Sequence, residues 1–197
     1  ITRDNAEDGE ELWKWWWYLN DNKEKEGYFT NGKRNGLWTW WYDTGYKKSE
    51  GSYLDDEQDG LWLYYNPDES IGEEITFLGG QKDGRTTTWL TPEEKSEEKF
   101  YRNGKLDGPS TFWENGFRSV MTSYKNDVPN GPWMIWYPSS DQIKEQGFHF
   151  DGLRDGLTVY YYKNSAKQRE GNYNAGYPEG IWSYWNAKSE KDFDFDF

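Results

Sequence analysis

Apolar and polar positions along this chain repeat with a period of about 24 residues. Short aromatic-rich segments, such as residues 27–30 and 37–42, alternate with turns rich in Asn, Asp and Gly. The pairs Asn31-Gly32 and Asp151-Gly152 are typical of tight hairpin turns, because these residues readily adopt positive φ. Aromatic and β-branched residues favour a pleated, half-buried surface. The pattern therefore predicts that each repeat is a hairpin of two short strands.

Seven glycines mark the frame of the repeat, and aromatic side chains occupy fixed positions around them. An Asn or an acidic residue precedes each frame glycine, which predicts a second turn closing at that position. The position five residues after the glycine is always aromatic, and the position seven residues before it is Phe or Tyr except at His149. The frame glycines are Gly36, Gly60, Gly84, Gly108, Gly131, Gly156 and Gly180.

The array comprises about eight repeats, and its two outer repeats are atypical, as terminal caps of repeat arrays are. Residues 11–17 resemble residues 36–42, with Glu11 in the place of the frame glycine. We divide the chain into an N-terminal segment 1–10, a repeat array 11–186, and an acidic, aromatic edge strand or tail 187–197. Stacked hairpins predict an all-β fold, an elongated tandem β-hairpin strip. At most one helical turn is expected, at residues 91–95.

Aromatic residues must build the core of such a fold. The chain has 14 Trp, 16 Tyr and 10 Phe, which together make up 20% of its residues, whereas Ile, Leu and Val are scarce. Each buried ring removes roughly 150–250 Å² from water. Packed rings can therefore stabilise a chain that is otherwise poor in aliphatic side chains.

Net charge and cysteine content exclude some ligands and some kinds of site. The formal charge of −13 offers no basic stripe for phosphates, so we expect no nucleic-acid binding and disfavour an anionic membrane. A basic partner protein is compatible with it. The chain contains no Cys, which excludes disulfides and thiolate metal sites. Because the chain begins at Ile1 rather than Met, we slightly favour an exported or cell-envelope protein over a cytoplasmic one.

Residues 28–42, which read YFTNGKRNGLWTWWY, closely resemble a MORN repeat. They are most similar to the Trp-rich bacterial variant in YwqK-like proteins described as antitoxins, and the resemblance extends over residues 11–186. It implies an all-β strip that contacts proteins, associates with itself or binds phospholipid. It implies no catalytic residues.

Two adjacent repeats depart from the pattern and predict a partner site. Thr86 and Ser110 stand two residues after the frame glycine, where four repeats have Trp and one further repeat has Thr158. The missing bulk predicts a groove bordered by Arg85, Thr86, Ser110 and Phe112. The rings of Trp15, Trp17 and Tyr162 fall outside the strict positions, so we expect them on an exposed surface.

The remaining candidates favour structural roles. His149 is expected to fill a ring position, and acidic turn residues such as Asp83 and Asp155 are expected to form turns rather than calcium sites. No nucleotide loop, paired histidine ligands or nucleophile motif is present, so we predict no enzyme activity, cofactor or metal. The leading hypothesis is a non-enzymatic scaffold that binds a partner protein or itself through a strip face or a strand edge. A glycan-binding surface of exposed Trp and Tyr is the main alternative, and a lipid-associated strip is the second.

Overall fold

The computed structural model describes residues 1–5 and 10–197, and every regular element in these two ranges is a β-strand. Two compact units account for the chain, the first formed by Ile1–Lys95 and Tyr101–Gly104, the second by Ser96–Phe100 and Lys105–Phe197. The helical turn expected near residue 91 is a tight turn instead. There the Thr91 hydroxyl accepts hydrogen bonds from the backbone N–H groups of Glu93 and Glu94, at 3.4 and 3.2 Å.

The first unit is a run of antiparallel strands in which each strand pairs with the next one along the chain. Its strands are β1 (Thr2–Asn5), β2 (Glu10–Trp16), β3 (Lys23–Thr30), β4 (Lys33–Trp41), β5 (Lys47–Leu54), β6 (Glu57–Tyr65), β7 (Ile71–Leu78) and β8 (Gln81–Thr91). The next strand, β9 (Glu94–Arg102), contributes residues to both units.

In the second unit neighbouring strands are again antiparallel, and one strand, Ile143–Phe150, pairs with both of the two strands that follow it. Its remaining strands are β10 (Lys105–Glu114), β11 (Phe117–Lys125), β12 (Val128–Trp136), β13 (Ile143–Phe150), β14 (Leu153–Arg154), β15 (Gly156–Tyr161), β16 (Lys167–Asn174), β17 (Tyr177–Trp185) and β18 (Lys191–Asp196). The Asp–Phe alternation forms β18, where Phe193 stacks on Tyr184 with 4.6 Å between the ring centroids. The fold is thus an all-β tandem array of hairpins, as the sequence predicts.

The frame glycine lies in a β-bulge, which takes the place of the second turn expected from the sequence. The hairpin turn between β3 and β4 is formed by Asn31 and Gly32 alone, with φ of 53° and 78°. Gly36 lies inside β4, where the register slips by two residues between the pairs Gly27–Trp38 and Tyr28–Asn35. Its φ of 67° is a left-handed conformation that glycine adopts without steric cost, and this explains why the position is glycine.

Each regular repeat packs one indole ring across a glycine of the preceding strand. A Cβ added at Gly51 would lie 2.3 Å from the Trp62 ring, so no side chain fits there. The Trp62 indole N–H donates to the Ser52 carbonyl at 3.0 Å, beside the bulge. Trp38 and Trp182 form equivalent hydrogen bonds to Tyr28 and Asn172. These buried indoles are therefore the centre of each repeat.

The indoles join further rings into a continuous row on one face of the first unit, which we call the ring stack. Trp62 packs edge-to-face on Tyr53 and tilted on Trp40, with ring centroids 5.0 and 5.5 Å apart. Ile75 and Phe77 complete the buried cluster around Trp62. Such offset and edge-to-face contacts are the favourable geometries for aromatic pairs.

The repeats of Thr86 and Trp133 depart from this arrangement. Thr86 replaces the indole in the first unit, and its neighbour on the preceding strand is Ile75 rather than glycine. Both side chains are buried. In the second unit Trp133 faces Thr122 on the preceding strand, and its ring instead lies against Gly147 of the following strand, where an added Cβ would be 2.9 Å away.

A second set of contacts stabilises the loop side of the Trp62 repeat. In the first unit the Lys47 ammonium pairs with the Glu50 carboxylate at 2.8 Å, and the Tyr65 hydroxyl donates to the same carboxylate at 2.6 Å. Burial, followed by the hydrogen bond to Glu50, raises the pKa of Tyr65 to about 12. The Tyr42 hydroxyl donates to the Tyr65 carbonyl at 2.9 Å and thereby links successive repeats.

Candidate functional site

The four residues of the predicted groove lie in both units, and they differ in exposure. In the first unit Thr86 is buried, whereas the exposed Arg85 guanidinium lies 3.5 Å from the Glu74 carboxylate. In the second unit Ser110 is only 1% exposed and Phe112 is partly exposed. Thr86 and Ser110 are thus interior residues rather than the surface that the missing Trp suggested. Ile75 occupies the space beside Thr86.

The three rings expected on an exposed surface also have different environments. Trp15 is half-buried in the ring stack, 5.7 Å from the Trp38 ring, so the expectation that it lies outside the repeated ring positions was wrong. It occupies the position equivalent to Trp40, two residues after the central indole and therefore on the same face of the strand. Tyr162 is half-buried, and its hydroxyl donates to the Trp185 carbonyl at 2.9 Å. Trp17 is exposed.

Four exposed apolar side chains cluster in the second unit, and we call them the Phe148 patch. They are Phe148, Phe150, Leu153 and Leu157, each between 50% and 62% exposed. Phe148 and Phe150 are two residues apart on β13 and so share a face, and Leu153 is the cross-strand partner of Phe150. Exposed apolar side chains that cluster in this way mark interaction sites on protein surfaces.

Two hollows flank Phe148 and Leu157 in this patch. One has a volume of about 290 Å³ and extends to Pro132 and Met134. The other has a volume of about 390 Å³ and extends to Asn130 and Asp155. A flat apolar surface with a hollow on either side can accept an anchoring side chain of a partner protein.

Packed rings support the Phe148 patch from the opposite face of the sheet. His149 occupies a ring position and lies 5.6 Å from the Trp133 ring. Burial, and then the nearby Arg154 charge, lowers the pKa of His149, which favours its neutral form. The Arg154 guanidinium lies 4.5 Å from the Trp133 ring centroid and donates to the Tyr160 hydroxyl at 2.8 Å. The patch is therefore presented on a firmly packed sheet.

A second candidate surface lies in the first unit, at the loop between β2 and β3. The backbone N–H of Trp17 donates to the Asn22 carbonyl at 2.8 Å and so closes this loop. Its tip carries Tyr18 and Leu19, which are 98% and 91% exposed. Together with the next loop along the strip, it encloses a hollow of about 520 Å³ that we call the first-loop cleft. The cleft is lined by Trp17, Tyr18, Leu19, Asn20, Trp41, Tyr42, Asp43 and Lys48.

The acidic turn residues hold neighbouring turns together. In the first unit the Asp83 carboxylate accepts a hydrogen bond from the Asn103 backbone N–H at 2.9 Å. In the second unit Asp155 accepts one from the Ala175 N–H at 3.3 Å. Over residues 1–5 and 10–197, no three His, Asp or Glu side chains are grouped to hold a metal ion.

Sequence reasoning missed the Phe148 patch and most of the first-loop cleft. A signal for the patch was present, since Phe148, His149 and Phe150 are three successive rings and a strand must place rings on both of its faces. For the cleft, the signal was the pair Tyr18-Leu19 at loop positions where the other repeats have only polar residues, Pro, Gly or Ala. Neither signal reveals which side chains converge, because that depends on strand register and loop contacts.

In comparisons with known proteins, neither a family model nor a curated protein matches this chain. The described residues contain no helix that is long and apolar enough to cross a membrane.

Proposed function

We propose that this chain is a non-enzymatic interaction scaffold that binds a partner protein through the Phe148 patch. The observation that carries this proposal is the cluster of two Phe and two Leu side chains, half-exposed on the sheet surface beside two hollows. Apolar anchors seated in hollows at the centre of an interface supply most of its binding energy. The resemblance to MORN repeats points to the same class of function.

The charge of the chain indicates the chemistry of the partner. Its net charge is −13, and Asp151 and Asp155 lie in the chain segment that carries Leu153 of the patch. A partner with an apolar anchor surrounded by Lys and Arg complements this surface. Charge complementarity raises the association rate and makes it sensitive to salt.

Site-specific crosslinking tests the proposal. A photoreactive amino acid at position 148 should crosslink one protein in an extract of the source cells. The same amino acid at position 37, an exposed leucine of the first unit, serves as the matched control. Unlabelled protein should compete for this crosslink, whereas the variant Phe148→Ser/Leu157→Ser should not.

Sedimentation of the purified chain distinguishes a partner from a second copy. If the wild type forms a defined oligomer and the Phe148→Ser/Leu157→Ser variant is monomeric, the patch binds another copy of this chain. Equal crosslinking from positions 148 and 37, or competition by the double variant, would contradict the proposal.

A further inference from the structure

We infer that the first-loop cleft is a binding site for a neutral glycan, a function separate from the protein contact proposed for the Phe148 patch. The cleft combines aromatic rings with two charged side chains that have no hydrogen-bonding or ion-pair partner among the described residues. It lies entirely in the first unit, so the two proposals can be tested independently.

Aromatic side chains make up much of the lining of the cleft. Trp17, Trp41 and Tyr42 line a hollow of about 520 Å³, which is within the range of small-molecule sites. The rings present flat apolar surfaces, and a pyranose ring has one face made of C–H groups that suits such a surface. The rest of a sugar carries hydroxyls, which need polar partners at the rim.

Two polar groups at the rim meet that need. Among the described residues, the Asp43 carboxylate and the Lys48 ammonium have no hydrogen-bonding or ion-pair partner, and both line the cleft. The carboxylate only accepts hydrogen bonds and the ammonium only donates them. A hydroxyl group does both, so a polyhydroxylated ligand can satisfy the two together. An apolar ligand would leave both groups unused.

The site is held in shape before any ligand arrives. The Asn20 and Asn22 side-chain amides both donate to the Asp43 carbonyl, which ties the first loop to the next one. The Tyr42 hydroxyl is fixed by the Tyr65 carbonyl. A site that is already ordered loses less conformational entropy on binding.

Cationic ligands fit the cleft poorly, although aromatic rings attract cations in general. The Lys23 ammonium already lies 4.6 Å from the Trp41 ring centroid, and Lys48 lies 5.7 Å from the Tyr42 ring. A second cation would be repelled by both. An anionic ligand would pair with Lys48 but face the Asp43 carboxylate, so a neutral ligand is the best match.

Titration with neutral oligosaccharides tests the inference. We would titrate ¹⁵N-labelled protein with cellohexaose, xylohexaose, mannohexaose and maltohexaose, and follow the indole N–H signals of its 14 Trp residues. At least one of these sugars should shift the signals of Trp17 and Trp41 and leave those of the buried Trp38 and Trp62 unchanged. Saturation should follow a single-site curve.

Matched variants locate the site. Trp17→Ala should weaken binding about tenfold or more, equivalent to about 1.4 kcal/mol. Tyr162→Ala changes the equivalent position of another repeat, in the second unit, and should leave binding unchanged. Lys48→Met keeps most of the side-chain bulk but removes the donor, and should weaken binding about threefold, roughly 0.6 kcal/mol by the same conversion.

Three results would overturn the inference. The first is that none of the four sugars binds the wild-type protein. The second is binding that persists unchanged in both Trp17→Ala and Lys48→Met. The third is binding of a neutral amphipathic peptide at the cleft in the absence of any sugar binding. The outcome of the crosslinking experiment at position 148 would not affect any of these results.

Discussion

Two neighbouring repeats of the first unit fill the same interior space from opposite strands. In one repeat Trp62 lies across Gly51, and in the next Thr86 lies beside Ile75. The bulk of the pair is on the later strand in the first case and on the earlier strand in the second. The two residues of each cross-strand pair therefore fill this space together, and a smaller side chain on one strand is offset by a larger one on the other.

Placing bulk on both strands at once should have the largest effect. Gly51→Ile adds a side chain where even a Cβ would lie 2.3 Å from the Trp62 ring. We expect a loss of about 3 kcal/mol or more in the free energy of unfolding, measured by urea denaturation. The double variant Gly51→Ile/Trp62→Thr recreates the pairing of Ile75 with Thr86. It should be at least about 2 kcal/mol more stable than the sum of the single changes predicts. Simple additivity would show that the pair is not coupled.

Overfilling the other repeat should have a smaller effect. Thr86→Trp introduces an indole beside the buried Ile75, and we expect it to cost about 2 kcal/mol because neighbouring strands must shift. The combined change Ile75→Gly/Thr86→Trp should recover part of this loss, since it recreates the arrangement of Gly51 and Trp62. If Thr86→Trp alone were neutral in urea denaturation, the space beside Thr86 would be empty rather than filled.

Two buried indoles, one with a hydrogen bond and one without, allow the contribution of that hydrogen bond to stability to be measured. The Trp62 indole N–H donates to the Ser52 carbonyl, whereas the buried Trp133 indole N–H has no hydrogen-bond acceptor within residues 1–5 and 10–197. Trp62→Phe should therefore cost about 1 kcal/mol more than Trp133→Phe, the net value of one hydrogen bond. Urea denaturation of the two variants measures the difference. Equal losses would mean that the indole hydrogen bond contributes nothing to stability.

The smallest effect concerns the loop side of the Trp62 repeat at high pH. The pKa of Tyr65 is raised to about 12, from an ordinary value of 10.0, by burial and then by its hydrogen bond to Glu50. Because the folded pKa lies above the unfolded one, this stabilisation is complete below pH 10 and is lost as the pH rises through about 12. Tyr65→Phe should therefore lose less stability than the wild type between pH 10 and pH 12. We would measure the free energy of unfolding of both proteins by chemical denaturation at several pH values in this range. An equal decrease with pH in the two proteins would contradict this assignment.

Much of the fold could be predicted because the repeat is local. Frame glycines, Asn-Gly turns and alternating rings indicate hairpins without any long-range information. The candidate site was less predictable. Arg85 and Phe112 are exposed as a partner site requires, but Thr86 and Ser110 are interior residues. The sequence shows that a Trp is missing there, and it does not show that Ile75 on another strand fills the space beside Thr86.

The sequence alone determined the all-β class, the period of the repeat and the aromatic nature of the core. These properties follow from turn chemistry and from the alternation of side chains along a strand, both of which act over a few residues. The tertiary structure decided that the frame glycine forms a bulge, that Trp15 lies in the ring stack, and that Trp133 leans towards Gly147. It also brought Phe148 together with Leu157, and Trp17 together with Trp41. These arrangements depend on cross-strand register and on which neighbour leaves room for a ring, and both arise only when the strands pack together.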